Sequence, residues 1–250
     1  MNTDPVREYG DAPAVVTVTR RGRPSVDGLQ ASLPAGTRLV VVDTASSAGD
    51  GEVVRMPEDV GWAAAVNRGV AGLDPDVGWV VLADPGVRWR PGAIDVLLAA
   101  GTRHPRAGLL GPALHGVHGP SGGPLPGLAA AARGRILGGT GAGPTGWLST
   151  AGVLVRRAAW DSVDGLDGRY LGGPGGICDV DLGDRLGRAG WLVVAVPEAA
   201  ADVEPGDTFG NGHGILEPHA AGLHRYVRDR ARGTARALAA LARRVPDPET

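Results

Sequence analysis

The chain of 250 residues is long enough for one large domain or two small ones, and its net charge is -2. That charge argues against a nucleic-acid partner, and the single cysteine excludes an internal disulfide and a cysteine-rich zinc site. No apolar run approaches the roughly 20 residues that span a bilayer, and the first residues are polar and acidic, unlike a secretory signal. We therefore expect a cytoplasmic protein.

Apolar runs and amphipathic segments alternate through the first 110 residues. The predicted strands are 15–19, 39–42, 52–55 and 79–83, and the predicted helices are 24–33, 61–73 and 91–100. Strands that alternate with helices predict a mainly parallel sheet with crossover helices. Ligands of such sheets bind beyond the carboxyl ends of the strands. Asp43 and Asp84 stand at two of these ends, and they are the first candidates for a functional site.

The rest of the chain has weaker periodicity. Residues 116–146 are rich in Gly and Pro and predict an excursion from the domain. The later predicted elements are strands at 153–155 and 191–196 and helices at 158–163 and 179–189, with irregular chain over 198–218. The predicted layout is a flexible tail over 1–12, a domain over 13–215, an amphipathic helix over 216–245 and a tail over 246–250. The arginines of that helix would suit an anionic membrane surface, while docking of its apolar face onto the domain is the alternative.

The order of several segments is more specific than any single residue. These segments are 61–69, 79–87, 91–95, 105–112, 146–149, 154–157, 163–170 and 179–191, closing on Val196-Pro197. Their order resembles that of family 2 glycosyltransferases with a GT-A fold, in particular the actinobacterial N-acetylglucosaminyl-diphospho-decaprenol L-rhamnosyltransferases. The resemblance implies an α/β/α sandwich with a mainly parallel central sheet.

The resemblance also implies an activity. Such an enzyme transfers a sugar from a nucleotide-sugar donor to a lipid-linked or small glycan acceptor in cell-envelope synthesis, with inversion at the anomeric carbon. The resemblance implies L-rhamnose as the sugar and dTDP-L-rhamnose as the donor. The departing diphosphate is usually neutralised by Mg²⁺ or Mn²⁺ held on carboxylates. A general base takes the proton of the attacking acceptor hydroxyl. A lipid-linked acceptor would place the enzyme at the inner face of the plasma membrane.

Four residues match the nucleotide-binding part of the family. Asp43 matches the strand-end acid near the nucleoside base, and Asn67 and Arg68 match the helix that faces the nucleotide. Asp84 lies in the metal-binding segment, where it would contact the ion or the ribose. The resemblance thus assigns Asp84 both a nucleotide-binding and a metal-binding role.

The catalytic part of the resemblance rests on one acid. Asp179 matches the second acid of the family's Glu-Asp pair, which is the expected base. Asp181 and Asp184 continue the motif, and both suit the positive end of a helix dipole, so a structural role is the simpler interpretation. Arg185 is predicted to form an internal ion pair.

The chain departs from the family at four places. Gly86 stands where the metal-binding segment normally ends in an acid, and Cys178 replaces the first acid of the pair. Residues 172–176 are Gly-rich where the family has bulky side chains, and no His lies in register after Val196-Pro197, where Glu204 or Asp207 would have to serve as the metal ligand. These changes leave a second hypothesis open: a catalytically impaired homologue that binds a nucleotide or a partner protein.

Overall fold

A computed structural model describes residues 12–20, 25–45, 53–117, 121–126, 141–170, 173–204, 222 and 225–232. Its centre is a nine-stranded sheet, and six of these strands run in one direction. Alternate residues of the strands point to opposite faces and belong to two different apolar clusters, each of which also contains helix residues. Helices therefore cover both faces of the sheet. The predicted α/β/α sandwich with a mainly parallel sheet is confirmed.

The first half of the sheet is entirely parallel. Its strands lie in the order β3-β2-β1-β4, which is the arrangement that crossover helices produce. The strand predicted at 79–83 has the same bounds in the structure, and the other predicted elements differ by a few residues at their ends. The elements are β1 (Ala14–Arg20), α1 (Asp27–Ser32), β2 (Arg38–Thr44), β3 (Val53–Met56), α2 (Gly61–Ala71) and β4 (Trp79–Ala83).

The second half of the sheet is mixed. Its order is β4-β10-β6-β11-β5, and β10 runs antiparallel to both of its neighbours. A separate two-stranded sheet joins β7 to β9, and β8 pairs with β11. The elements are β5 (Val87–Trp89), α3 (Ala93–Arg103), β6 (Ala107–His115), β7 (Gly122–Gly123), β8 (Gly143–Thr145), β9 (Trp147–Leu148), β10 (Gly152–Arg156), α4 (Arg157–Asp161), α5 (Ile177–Arg188) and β11 (Leu192–Val203).

The expectation of irregular chain from residue 198 onward is wrong for residues 198–203. They continue β11, which pairs with β6 on both sides of a register shift between Ala195 and Ala200. The shift interrupts the two-residue alternation that marks a strand in the sequence. Two ion pairs also link the end of β11 to β5 and the residue that follows it: Arg90–Asp202 at 2.8 Å and Arg88–Glu204 at 2.5 Å.

The end of the described chain packs against the domain. Residues 225–232 are helical, and Tyr226, only 2% exposed, joins the apolar cluster that also contains the buried side chains of α5. Arg230 donates hydrogen bonds to the Tyr226 hydroxyl at 2.6 Å and to the Pro126 carbonyl at 3.3 Å. The docking alternative therefore describes this part of the predicted helix. Within the described ranges, none of the helices has the length and apolar character to cross a membrane.

Candidate active site

The carboxyl ends of β1, β2 and β4 meet at one edge of the sheet. Asp43, near the end of β2, is 2% exposed and accepts a hydrogen bond from Thr19 Oγ1 at 3.0 Å. Arg55, on the adjacent β3, lies 3.5 Å from the other carboxylate oxygen. A buried carboxylate needs such partners, because burial without them strongly penalises its charge. Asp43 is thus held as an acceptor at the edge where the nucleoside base is expected.

Asp84 follows β4 directly and is fully buried. Its backbone N–H donates to the Ala151 carbonyl at 2.7 Å, and its Oδ1 accepts the Gly86 N–H at 3.0 Å. The aspartate thereby closes the tight turn that leads into β5, as Asp side chains commonly do. The contact with Ala151 joins the end of β4 to the short segment that precedes β10.

The segment before β10 also hydrogen-bonds to Asp179, which lies in the first turn of α5. Asp179 is fully buried, and one residue bonds both of its oxygens: Thr150 Oγ1 donates to Oδ1 at 2.7 Å and Thr150 N donates to Oδ2 at 3.0 Å. Gly175 N donates to Oδ2 at 2.6 Å, and Cys178 Sγ lies 3.5 Å from Oδ1. Residues 149–151 therefore connect Asp84 and Asp179 to one another.

Burial and hydrogen bonding act on Asp179 in opposite directions. Desolvation raises its pKa from the ordinary 3.8 to about 6, and the donors from Thr150, Gly175 and Cys178 limit that rise because they favour the ionised form. A carboxylate with a pKa near 6 is ionised at neutral pH and still basic enough to accept a proton efficiently. The same burial, together with the neighbouring Asp179 charge, raises the pKa of the Cys178 thiol far above its usual value. Cys178 is thus a buried, unreactive thiol.

Asn67 and Arg68 have different surroundings on α2. Asn67 Nδ2 donates to the Leu166 carbonyl at 2.7 Å, and Leu166 N donates back to Asn67 Oδ1 at 2.9 Å. The amide therefore links α2 to the loop after α4, and its nucleotide role stays a prediction. Arg68, one residue further, is exposed.

The predicted internal ion pair of Arg185 is present in α5, where Asp181 and Asp184 each pair with an arginine one turn further along the helix. Arg185 Nε lies 2.6 Å from Asp181 and its Nη1 donates to the Val163 and Gly165 carbonyls. Asp184 pairs with Arg188 one turn further along the helix. The two bonds from Arg185 to these carbonyls fix α5 to the same loop whose Leu166 is bound by Asn67.

The metal-binding predictions are tested only in part by this geometry. Among the described residues, no group of three or more His, Cys, Asp and Glu side chains could hold a metal ion. Glu204 points its carboxylate at Arg88 and is largely exposed, while Asp207 lies outside the described residues. The described side chains thus do not form a complete metal-binding set.

Two residues of the site were not predicted from the sequence. Thr150 bonds both oxygens of Asp179, and the Trp62 indole N–H donates to Thr150 Oγ1 at 3.1 Å. Both side chains are buried, Trp62 near the start of α2 and Thr150 just before β10. The available signal was the pair of hydroxyl residues, Ser149 and Thr150, immediately before a predicted buried strand.

Comparison with known proteins shows the fold. No model of a protein family matches the chain. A structure of GalNAc-T7 with UDP, GalNAc and Mn²⁺ superposes with a TM-score of 0.62 at 13% identity, over 87% of this chain and 48% of the other, so the chain spans about half of that protein. A mannosyltransferase from Pyrobaculum calidifontis, in complex with GDP-Man and Mn²⁺, gives a TM-score of 0.51 at 15% identity, over 95% and 77% of the two chains.

Sequence comparison shows the family. The N-acetylglucosaminyl-diphospho-decaprenol L-rhamnosyltransferases of two Mycobacterium tuberculosis strains, CDC 1551 / Oshkosh and ATCC 25618 / H37Rv, are each 36% identical to the chain over 232 aligned residues. The alignment covers 76% of this chain and 75% of each relative. The fold and this similarity together show that the chain is a glycosyltransferase with a GT-A fold and belongs to the N-acetylglucosaminyl-diphospho-decaprenol L-rhamnosyltransferase family.

Proposed function

We propose that the enzyme transfers L-rhamnose from dTDP-L-rhamnose to a lipid-linked N-acetylglucosaminyl diphosphate in cell-envelope synthesis. The names of the two relatives support this sugar and this acceptor, and the alignment with the chain covers three quarters of each relative. The observation that carries the proposal is the connection of Asp84 and Asp179 through residues 149–151, because it joins the donor end of the sheet to a buried base.

The proposed chemistry is a single inverting displacement. The acceptor hydroxyl attacks the anomeric carbon from the face opposite the diphosphate, a new glycosidic bond forms, and the bond to the nucleoside diphosphate breaks. Asp179 takes the proton of the hydroxyl, for which a pKa of about 6 suits it at neutral pH. The acceptor oxygen must come within hydrogen-bonding distance of the carboxylate, and Gly175, in the Gly-rich loop, is the donor that it would replace.

The nucleotide would lie along the carboxyl ends of β1, β2 and β4. We propose that Asp43 accepts a hydrogen bond from the base and that Arg68, exposed on α2, approaches the diphosphate. We further propose that the enzyme uses Mg²⁺ or Mn²⁺, which when bound would supply positive charge to offset that of the departing diphosphate. Asp84 and Asp207 are the residues that we would expect to contact it. The Mn²⁺ complexes of the two similar structures support divalent metal use in this fold.

The acceptor lipid would bring the enzyme to the cytoplasmic face of a membrane. Peripheral contact through the C-terminal helix and docking of that helix onto the domain are the two alternatives, and Tyr226 of the helix is buried in the domain. Any contact with lipid headgroups would therefore use outward-facing side chains such as Arg228 and Arg232, which are exposed. Co-sedimentation with anionic liposomes should weaken in Arg228→Glu/Arg232→Glu, and equal binding by both proteins would argue against this contact.

The test of the proposed function is transfer measured on the full chain. Purified enzyme receives dTDP-L-rhamnose and N-acetylglucosaminyl-diphospho-polyprenol, with Mn²⁺, with Mg²⁺ or with chelator. Asp179→Asn should abolish transfer, since an amide cannot take the proton. The matched control is Asp95→Asn, which changes an exposed acid in the first turn of α3 and should retain full activity.

The outcomes separate the two hypotheses. Transfer that survives Asp179→Asn would remove Asp179 as the base. An enzyme that fails to transfer from any nucleotide sugar, yet is thermally stabilised by dTDP, would be the impaired homologue, because a ligand raises stability only when a site exists. UDP and dTDP-L-rhamnose in the same thermal assay distinguish the preferred base and sugar.

A further inference from the structure

Four donor atoms of the described residues surround the Asp179 carboxylate, although the single thiol proton of Cys178 can go to the Gly173 carbonyl at 3.7 Å instead. An ionised carboxylate offers about four lone-pair sites, and here they face Thr150 Oγ1, Thr150 N, Gly175 N and Cys178 Sγ. A substrate hydroxyl can therefore bond to Asp179 only if one donor withdraws. Gly175 belongs to a Gly-rich turn and Cys178 is a weak thiol donor at 3.5 Å, so these two are the contacts that can yield.

Thr150 is the donor that stays. It bonds both carboxylate oxygens, one from its backbone and one from its side chain, so it defines the plane of the carboxylate. It directly precedes Ala151, whose carbonyl accepts the Asp84 N–H, and Ala151 leads into β10, which is hydrogen-bonded on both sides within the sheet. Its position is thus set by the sheet rather than by the loop over the site.

Trp62 determines the direction of the Thr150 hydroxyl. An indole N–H can only donate, so Thr150 Oγ1 must act as the acceptor of the 3.1 Å bond from Trp62 Nε1. The single hydroxyl proton is then free to point at Asp179 Oδ1, 2.7 Å away. A hydroxyl oriented in this way stabilises the ionised carboxylate, because the bond is made to its charged form.

We propose that Thr150, oriented by Trp62, is a positioning residue for Asp179: it holds the carboxylate in its ionised form and in one plane while an acceptor hydroxyl replaces the Gly175 amide. The inference rests on the proposed role of Asp179 as the base. Because Thr150 is fully buried, we expect it to contact neither the donor nor the acceptor. Its loss should therefore change proton acceptance and leave nucleotide-sugar binding intact.

The experiment compares the pH profiles of kcat for the wild type, Thr150→Ser and Thr150→Val. Thr150→Val keeps the shape and the backbone N–H but removes the donor to Oδ1. We expect kcat to fall at least about tenfold with KM for the donor unchanged, and the acid limb of the profile to move up by about 1 pH unit, because a hydrogen bond to a charged group is lost. Thr150→Ser should restore both quantities.

The matched control is Thr17→Val in β1. Thr17 is also fully buried, and its hydroxyl has no hydrogen-bond partner among the described residues, so its removal should leave the pH profile unchanged. A Thr150→Val enzyme with lower kcat but an unmoved acid limb would overturn the proposal, because a purely structural role predicts that result. Failure of Thr150→Ser to restore the limb would overturn it as well.

A readout that needs no turnover separates this proposal from the proposed function. The pH dependence of the melting temperature reports the titration of Asp179 even if no sugar is transferred. Its midpoint should move to higher pH in Thr150→Val, or in Thr150→Ala if the valine variant does not fold, and the shift should vanish in an Asp179→Asn background. An unmoved midpoint would refute the coupling, whereas a moved midpoint without transfer would refute only the role of Asp179 as the base.

Discussion

Replacement of Asn67 by alanine tests whether this residue serves the fold or the nucleotide. The side chain makes two hydrogen bonds to the backbone of Leu166, at 2.7 and 2.9 Å, and Leu166 is only 2% exposed. Asn67→Ala therefore leaves a buried N–H and a buried carbonyl without partners. At about 1–3 kcal/mol for each orphaned group, we expect a loss of about 3 kcal/mol in the free energy of unfolding.

Urea denaturation followed by circular dichroism measures this loss, and thermal denaturation should show a decrease of roughly 6–12 °C for a chain of this size. Arg68→Ala is the matched control, because the adjacent side chain is exposed on the same helix and its removal should cost less than about 0.5 kcal/mol. An Asn67→Ala protein with wild-type stability and weakened dTDP binding would refute this reasoning and favour the nucleotide-facing role.

Three further predictions concern α5. The raised pKa of Asp179 means that the folded state binds the carboxyl proton more tightly than the unfolded state does. The free energy of unfolding should therefore fall by about 3 kcal/mol between pH 4 and pH 6 and then level off. In Asp179→Asn this slope should disappear from a pH series of urea melts. Gly183→Ala should destabilise by about 1–3 kcal/mol, because its Cβ would lie 2.2 Å from the Gly146 carbonyl, whereas Gly187→Ala, in open space on the same helix, should stabilise slightly; equal melting temperatures would contradict this. Cys178 should react with a thiol reagent only after denaturation, because its thiol is fully buried, and rapid labelling of the native protein would contradict this.

The elements that could be predicted from the sequence are those whose signals are local. The strand at Trp79–Ala83 is a continuous apolar run, and Asp84 follows it directly, so both the strand and the strand-end acid were predictable. The paired role of Asn67 was not, because its partner Leu166 is 99 residues away along the chain. Periodicity carries no information about such a contact.

Strand β6 was not predicted from the sequence, for a different physical reason. Its glycines and proline are typical of a turn, and yet β6 lies between β10 and β11 in the sheet. A side chain at Gly108 would meet Ala159 at 2.8 Å, and one at Gly111 would meet Leu148 at 2.9 Å. The small residues are therefore required by neighbours that only the folded chain brings close, and a local pattern cannot reveal that requirement.

The reversed direction of β10 determines when the site can assemble. Because β10 runs against β4 and β6, Thr150 enters the site at the beginning of a strand, while Asp84 enters at the end of one. The contacts that assemble the site around Thr150 join residues distant in the chain: Trp62 is 88 residues from Thr150, and Asp179 is 29 residues from it. Contacts of such separation cost loop-closure entropy, as does the pairing of β1 with β4 in the parallel half, where Ala14 lies opposite Val80. All residues of the parallel half precede Thr150 and Asp179 in the chain, so during synthesis this half can form first, and the site is completed only after α5 has been made.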